Sequence, residues 1–485
     1  MIFNSVLFGV FLIIVFAFFW LNSKSIRNQN AIILIASYFF YGCWDYRFLS
    51  LIFFSTITDF IIGMRIADSS SKDARKIFLF LSIFINLGFL VTLKYFNFFL
   101  DNFNLLFSNL GIQFTSFSLE VVLPVGISFY TFQTMSYSID VYRGKCDPTR
   151  NFFAFASFVS FFPQLVAGPI ERASNLLPQF EKRKTFSLEN SINGLRQILW
   201  GLVKKVLIAD NCAYYSNMLF ESDSNYEGLT LVFGVIMFSF QIYGDFSGYS
   251  DIAIGTSRLF GFNLKKNFSF PYFSRSVSEF WRNWHISLSS WFRDYLYIPL
   301  GGSKMSQLIS IRNVFIIFLV SGFWHGASWT FIFWGGFHAI LFLPSLLLGR
   351  NRKYLNPVGY ETTIQGVLNL LLILKTFLLV SMAWVFFRAE NLTHAFSYFE
   401  NMFVGLINYS AYIEFLNFFA WKVDHVIMLL IFLFLVVEWL GRKRKYAIEF
   451  IFSKSKFLRY SSYLLILILI FWFGGEREEF IYFQF

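Results

Sequence analysis

Runs of about 20 apolar residues recur from one end of this chain to the other, each long enough to cross the hydrocarbon core of a bilayer as a helix. Lipid offers the backbone no hydrogen-bond partner, so a segment in it must pair its own amides, as a helix does. Only 14% of the 485 residues are charged, 56% are hydrophobic and 22% are aromatic; ordinary soluble domains carry about 25% charged residues. The expected fold is therefore all-α: a polytopic membrane protein with about ten to twelve transmembrane helices, in a single integral membrane domain over residues 1–485.

Taken in order, Ser5–Leu21 reads as a retained first span. No basic residue precedes it and no small-x-small cleavage site follows before Lys24. Ala31–Tyr41 and Phe48–Met64 form a hairpin, the polar stretch Arg65–Lys76 a loop, and Ile77–Leu93 a further span. Asn102–Ser118 is less apolar and reads as interfacial. Pro124 and Gly126 make Leu123–Tyr137 a broken or re-entrant helix. After the Phe152–Val166 span, INGLRQILWGLVKKVL is amphipathic and is expected to lie flat on the membrane, its basic face toward anionic headgroups. Leu229–Ile254, a hairpin over Asn313–Leu348, and Val367–Phe387, Val426–Leu440 and Tyr460–Phe473 complete the set. The 40 basic against 29 acidic residues, a net +11, read as topology, because basic residues collect on cytoplasmic loops. By that rule the RKRK before the last span puts the tail, residues 476–485, on the extracytoplasmic side. No basic cluster stands on a soluble domain, which argues against nucleic acid. Three scattered cysteines give neither a disulfide framework nor a metal site.

Three of the five histidines, His285, His325 and His338, fall within Glu279–His338. Imidazole takes and gives a proton near neutral pH, and at lipid depth it is costly unless paired or used. His325 stands in GFWHG, where glycines permit close approach and Trp324 and Trp329 can wall a pocket. The residues alone leave it between a catalytic imidazole and a core histidine bonded to a carbonyl. His285 shares a helical stripe with Trp281, Trp284, Leu288 and Trp291, which reads equally as an amphipathic face. Arg282 and Arg293 are candidates to meet the phosphates of a cytosolic cofactor, or lipid headgroups. His338, His394 and His425 read as structural.

Asp245 and Asp251, six apart in YGDFSGYSDIAIG, do not share a helical face. Their glycine-rich setting suggests a broken helix whose carboxylates orient an imidazole, bind a hydroxyl, or serve structural hydrogen bonding. Asp59, Lys94 and Lys375 read as packing pairs or snorkelling groups. No phosphate-binding glycine loop and no GxSxG is present, which disfavours a covalent serine hydrolase. Acyl transfer inside the membrane, a polysaccharide or lipid exporter, and a non-catalytic scaffold remain. No internal repeat of transporter type is visible, which weighs against the exporter.

Five motifs occur together: PVGISFYTFQTMSYSIDVYRG (Pro124 to Gly144), FFPQLVAGPIER (Phe161 to Arg172), YGDFSGYSDIAIG (Tyr243 to Gly255), FWRNWHISLSSWFRDYLYIPLGG (Phe280 to Gly302) and SGFWHG (Ser321 to Gly326). With them the chain resembles the membrane-bound O-acyltransferase family. Within it, the likeness is to the branch of the alginate O-acetylation and teichoic acid D-alanyl transfer membrane proteins. The resemblance implies a ring of helices around a central funnel, with the active histidine where funnels from both faces meet. It also implies a thioester acyl donor reached from the cytoplasm, here acetyl-CoA. His325 matches the family's active histidine and His285 the second characteristic one; Asp245, Asp251 and Trp324 are pocket candidates, and no metal is expected. The last six residues, Phe480 to Phe485, read FxYxxF, similar to the C-terminus of a small partner protein of teichoic acid D-alanylation whose tyrosine is held to carry the acyl group. Tyr482 is thus a candidate acyl relay, aromatic interface anchoring being the other reading. The implied setting is a bacterial cytoplasmic (inner) membrane. The implied partners are an extracytoplasmic SGNH-type acetyltransferase or other acetylation-complex proteins, membrane lipids, and an envelope polysaccharide such as an alginate-like exopolysaccharide or peptidoglycan.

Overall fold

The computed structural model describes residues 1–112, 124, 126–166, 168–221, 225–303, 305–359, 363–453, 455–476 and 478–481. Among the described residues there is no strand; the chain is a succession of helices and turns. Seven of these helices are long and apolar enough to cross a membrane: Tyr46–Asp68, Lys72–Asn109, Leu229–Leu259, Gln307–His325, Trp329–Leu347, Ile364–Arg388 and Lys456–Phe473. Tyr409–Lys422 and His425–Gly441 make an eighth if taken together, bent by 93°. The bend has a local cause. Val423 is extended, and Asp424 caps the second helix by accepting the Val426 amide at 2.8 Å. This is a multi-pass membrane protein.

The ten to twelve expected spans exceed this number because several apolar runs fold into shorter helices. Val6–Leu21 has 16 residues and Ile26–Gly42 has 17, which at 1.5 Å per residue rise about 24–26 Å, short of the ~30 Å hydrocarbon core. Phe152–Ser160 and Phe162–Leu165 are separated at Phe161. At Leu123–Tyr137, Gly126 takes a φ of +76° and opens the helix Ile127–Tyr142; Leu123 and Val125 lie outside the described residues.

The packing divides into two compact units. The first comprises Met1–Leu195 with Ala253–Lys265. Its polar centre is Asp59, which is buried and accepts from Ser82 Oγ at 2.5 Å, Ser138 Oγ at 2.9 Å and Asn86 Nδ2 at 2.7 Å. Three donors converging on one carboxylate hold three helices together at a depth where unpaired polar groups are expensive.

The second unit comprises Arg196–Ile252 with Lys266–Phe485, and two sequence expectations change there. The Asp245/Asp251 stretch is not broken but lies within one continuous 31-residue helix, Leu229–Leu259. A glycine in that stretch serves close packing: a Cβ at Gly248 would come 2.8 Å from the Gly201 carbonyl oxygen. The run expected on the membrane surface turns both of its lysines inward, while Ile192 and Leu195 stay exposed. It ends in a π-helical turn, Val203–Ala209, with Lys204 and Lys205 buried. Lys204 reaches Asp251 at 3.1 Å and Glu438 at 3.2 Å; Lys205 reaches Asp210 and Asp245, both at 2.8 Å. Two carboxylates per ammonium offset the cost of desolvating the lysines, and that pairing could not be read from an amphipathic pattern.

Candidate active site

His325 is the last residue of Gln307–His325, which turns through Gly326 into Trp329–Leu347. Glycines let the two helices touch at backbone distance: a Cβ at Gly335 would lie 2.2 Å from the Phe318 carbonyl oxygen, and one at Gly322 equally close to that of Phe331. The hairpin therefore delivers the imidazole to the interior, 4% exposed. Around it stand Trp324, Trp334 and Phe387, with ring centroids at 4.9, 5.1 and 5.3 Å, and His285 at 6.4 Å.

His285 does not sit inside one amphipathic helix, as its tryptophan stripe suggested. It separates two short ones, Val277–Asn283 and Ile286–Phe292, at a φ of +43°. The left-handed turn redirects the chain, so that Trp284, Leu288 and the imidazole all point into packed interior. His285 Nδ1 meets Asn267 Oδ1 at 3.1 Å, while Nε2 has no hydrogen-bond partner among the described residues. Burial pushes its pKa down to about 3, so the ring is neutral at physiological pH. Phe246 packs edge-on against it at 4.7 Å and Trp324 at 5.9 Å. Trp324 thus lies against both imidazoles.

The remaining candidates separate. Asp245 is occupied by Lys205 and by the amide of Ile481, which donates to Oδ2 at 2.7 Å; Asp251 is occupied by Lys204 and by Gln197 Nε2, which donates to Oδ1 at 2.6 Å. Each carboxylate thus holds a lysine, and Asp245 also holds the backbone at Ile481. Phe480, fully buried, packs against Tyr249 with ring centroids 4.3 Å apart and approaches Phe246 at 6.0 Å, the ring that backs His285. Tyr482 itself lies outside the described residues. Arg282 donates to the carbonyls of Asn351 at 2.5 Å and Tyr354 at 2.6 Å, lining a cavity of about 290 Å³ with Glu279, Asn283 and Arg442. Arg293 is exposed and pairs with Asp294 at 2.7 Å. His338 accepts from Trp281 Nε1 at 3.3 Å and is buried, which accounts for it structurally. No cluster of three or more metal-ligating side chains occurs among the described residues. Asn267, Trp334, Phe387 and Lys205 were not singled out from sequence as site residues. For Lys205 a signal existed, an ionisable group within an apolar run; an asparagine 18 residues before a histidine carries none.

Against this geometry stand the relatives. The sequence pattern of the membrane-bound O-acyltransferase family matches residues 147–385, which include both His285 and His325. A probable alginate O-acetylase, AlgI, of Pseudomonas aeruginosa is 41% identical over 408 residues, covering 83% of this chain and 75% of the relative. The chain belongs to the membrane-bound O-acyltransferase family. A peptidoglycan O-acetyltransferase of Helicobacter pylori is 36% identical over 77% of this chain and 73% of its own length. A teichoic acid D-alanyltransferase of Bacillus subtilis is 27% identical over 45% of this chain and 57% of its own. As a membrane-bound O-acyltransferase, the protein moves an acyl group onto oxygen.

Proposed function

We propose that this membrane-bound O-acyltransferase takes an acetyl group from acetyl-CoA at the cytoplasmic face of a bacterial inner membrane and passes it outward for O-acetylation of a cell-envelope polysaccharide. The observation that carries the reading is the approach of two imidazoles, His325 and His285, to 6.4 Å inside an aromatic enclosure. His325 acts as general base on an incoming hydroxyl. Its nitrogen takes the hydroxyl proton as the oxygen forms a bond to the thioester carbon; the carbon–sulfur bond breaks, and the proton passes to the leaving thiolate. General-base assistance of this kind is worth about 10²–10⁴ in rate. The aromatic walls keep water from competing for the thioester.

The names of the relatives support acetyl as the group and an envelope polymer as the acceptor, alginate-like or peptidoglycan. An SGNH-type extracytoplasmic acetyltransferase completes the delivery. Tyr482 is the proposed relay hydroxyl. The seating of Phe480 and Ile481 one ring away from His285 supports it.

His325→Ala should abolish polymer acetylation in cells at unchanged protein abundance, measured as ester-linked acetate released from purified polymer. Persistence of acetylation at normal abundance would remove His325 from the chemistry. For Tyr482→Phe, intact-protein mass spectrometry should lose an acetyl adduct on the tail; unaltered polymer acetylation in that variant would leave the tail as an anchor.

A further inference from the structure

Asn267 is fully buried and lies in the irregular segment between the long Leu229–Leu259 helix and the Pro271–Phe273 turn. Its side-chain oxygen is met by three groups: the Ser287 amide at 3.3 Å, Ser287 Oγ at 2.9 Å and His285 Nδ1 at 3.1 Å. Its Nδ2 donates to Ser250 Oγ at 3.1 Å, and its own carbonyl accepts the Ile286 amide at 2.8 Å. An asparagine amide can be turned over without changing its shape, so oxygen and nitrogen must be assigned from their partners. Here the partner decides. A backbone N–H only donates, so the atom facing the Ser287 amide is the oxygen. The Ser287 hydroxyl also lies 3.5 Å from Nδ1, but its hydrogen goes to the nearer Asn267 oxygen at 2.9 Å; a ring nitrogen facing that same oxygen then carries hydrogen, because an oxygen and a bare nitrogen would repel. A neutral imidazole has one N–H. The proton therefore sits on Nδ1, and Nε2 is left as a lone pair, buried and without a hydrogen-bond partner among the described residues.

We infer that Asn267 is a positioning residue: it locks His285 in the Nδ1–H tautomer, so that Nε2 works as a hydrogen-bond acceptor beside His325 and not as an oxyanion donor. The inference rests on the proposed catalytic reading of His285 for its functional half and on geometry alone for the tautomer. The same amide also fixes the backbone. By accepting from Ser287 and, through its carbonyl, from Ile286, Asn267 bridges the two residues that follow the left-handed turn, so ring orientation and ring protonation are set by one side chain. Outer partners that fix a histidine's tautomer and orientation are typically worth 10–100-fold in activity, by analogy with metal-bound histidines.

The test uses the full-length protein labelled with [15N]histidine in nanodiscs, with the His285 resonances assigned by their loss in His285→Gln. At neutral pH the two-bond proton–nitrogen pattern should report hydrogen on Nδ1 in the wild type. In Asn267→Leu that preference should collapse, with a drop in kcat of about 10–100-fold and little change in KM. Asn267→Asp, which keeps an acceptor oxygen, should restore the Nδ1–H pattern and part of the activity. Hydrogen on Nε2 in the wild type, or an unchanged pattern in a folded Asn267→Leu, overturns the assignment whatever the activity. If the tautomer is as stated but His285→Gln turns over normally, the catalytic reading of His285 falls and the tautomer assignment stands.

Discussion

His285 bears two costs at once: a left-handed backbone, worth about 1–3 kcal/mol for a residue with a Cβ, and an imidazole buried without charge. The second has a pH signature. The unfolded ring titrates near 6.5 and the folded one near 3. Above 6.5 both states are neutral and the group contributes nothing. Below it the unfolded chain binds a proton that the folded chain refuses, so stability falls progressively down to about pH 3. His285→Gln should flatten that fall in the thermal midpoint measured in detergent; an equally steep fall in the variant would place the acid sensitivity elsewhere. Lys205 makes a complementary prediction. Lys205→Met leaves Asp210 and Asp245 buried without their cation and should cost about 3–5 kcal/mol, part of it recovered by adding Asp245→Asn. At this scale the sequence made His325 legible, because an imidazole between apolar runs stands out. It did not reveal Lys205's role, because an amphipathic pattern cannot distinguish a face turned to headgroups from one turned to buried carboxylates.

The Gln307–His325 and Trp329–Leu347 helices place His325 by backbone contact, and their two adjacent glycines differ in what they tolerate. A Cβ at Gly335 would fall 2.2 Å from the Phe318 carbonyl oxygen, whereas one at Gly336 would meet only Leu319 Cδ2 at 3.7 Å. Gly335→Ala should force the helices apart, lower stability by about 1–3 kcal/mol and reduce acetyl transfer; Gly336→Ala should leave both near wild type. Thermal unfolding and ester-acetate release compare the pair directly, and equal behaviour would remove glycine packing as the device that sets His325. The hairpin itself was legible from two apolar runs around a glycine-rich tip. The break at His285 was not, because a three-to-four tryptophan stripe fits one helix as well as two short helices whose buried faces happen to continue each other. The unbroken Leu229–Leu259 helix was obscured in the opposite sense: glycines that admit a neighbouring backbone look, in sequence, like helix breakers.

For the whole molecule, the apolar runs were enough to establish a multi-pass helical protein, and the motif set was enough to indicate the family; run length also counted Val6–Leu21 and Ile26–Gly42, whose helices of 16 and 17 residues are shorter. What divides an acyltransferase from an exporter is whether a thioester is cleaved. The most direct measurement reconstitutes the full-length protein in liposomes, supplies radiolabelled acetyl-CoA, and follows free coenzyme A thiol together with label on the chain and on added glycan. The wild type should release thiol and acquire or pass on label, and His325→Ala of equal abundance and thermal midpoint should do neither. Equal thiol release from the His325→Ala protein, or glycan flux in the wild type with no thioester cleaved, would contradict the account.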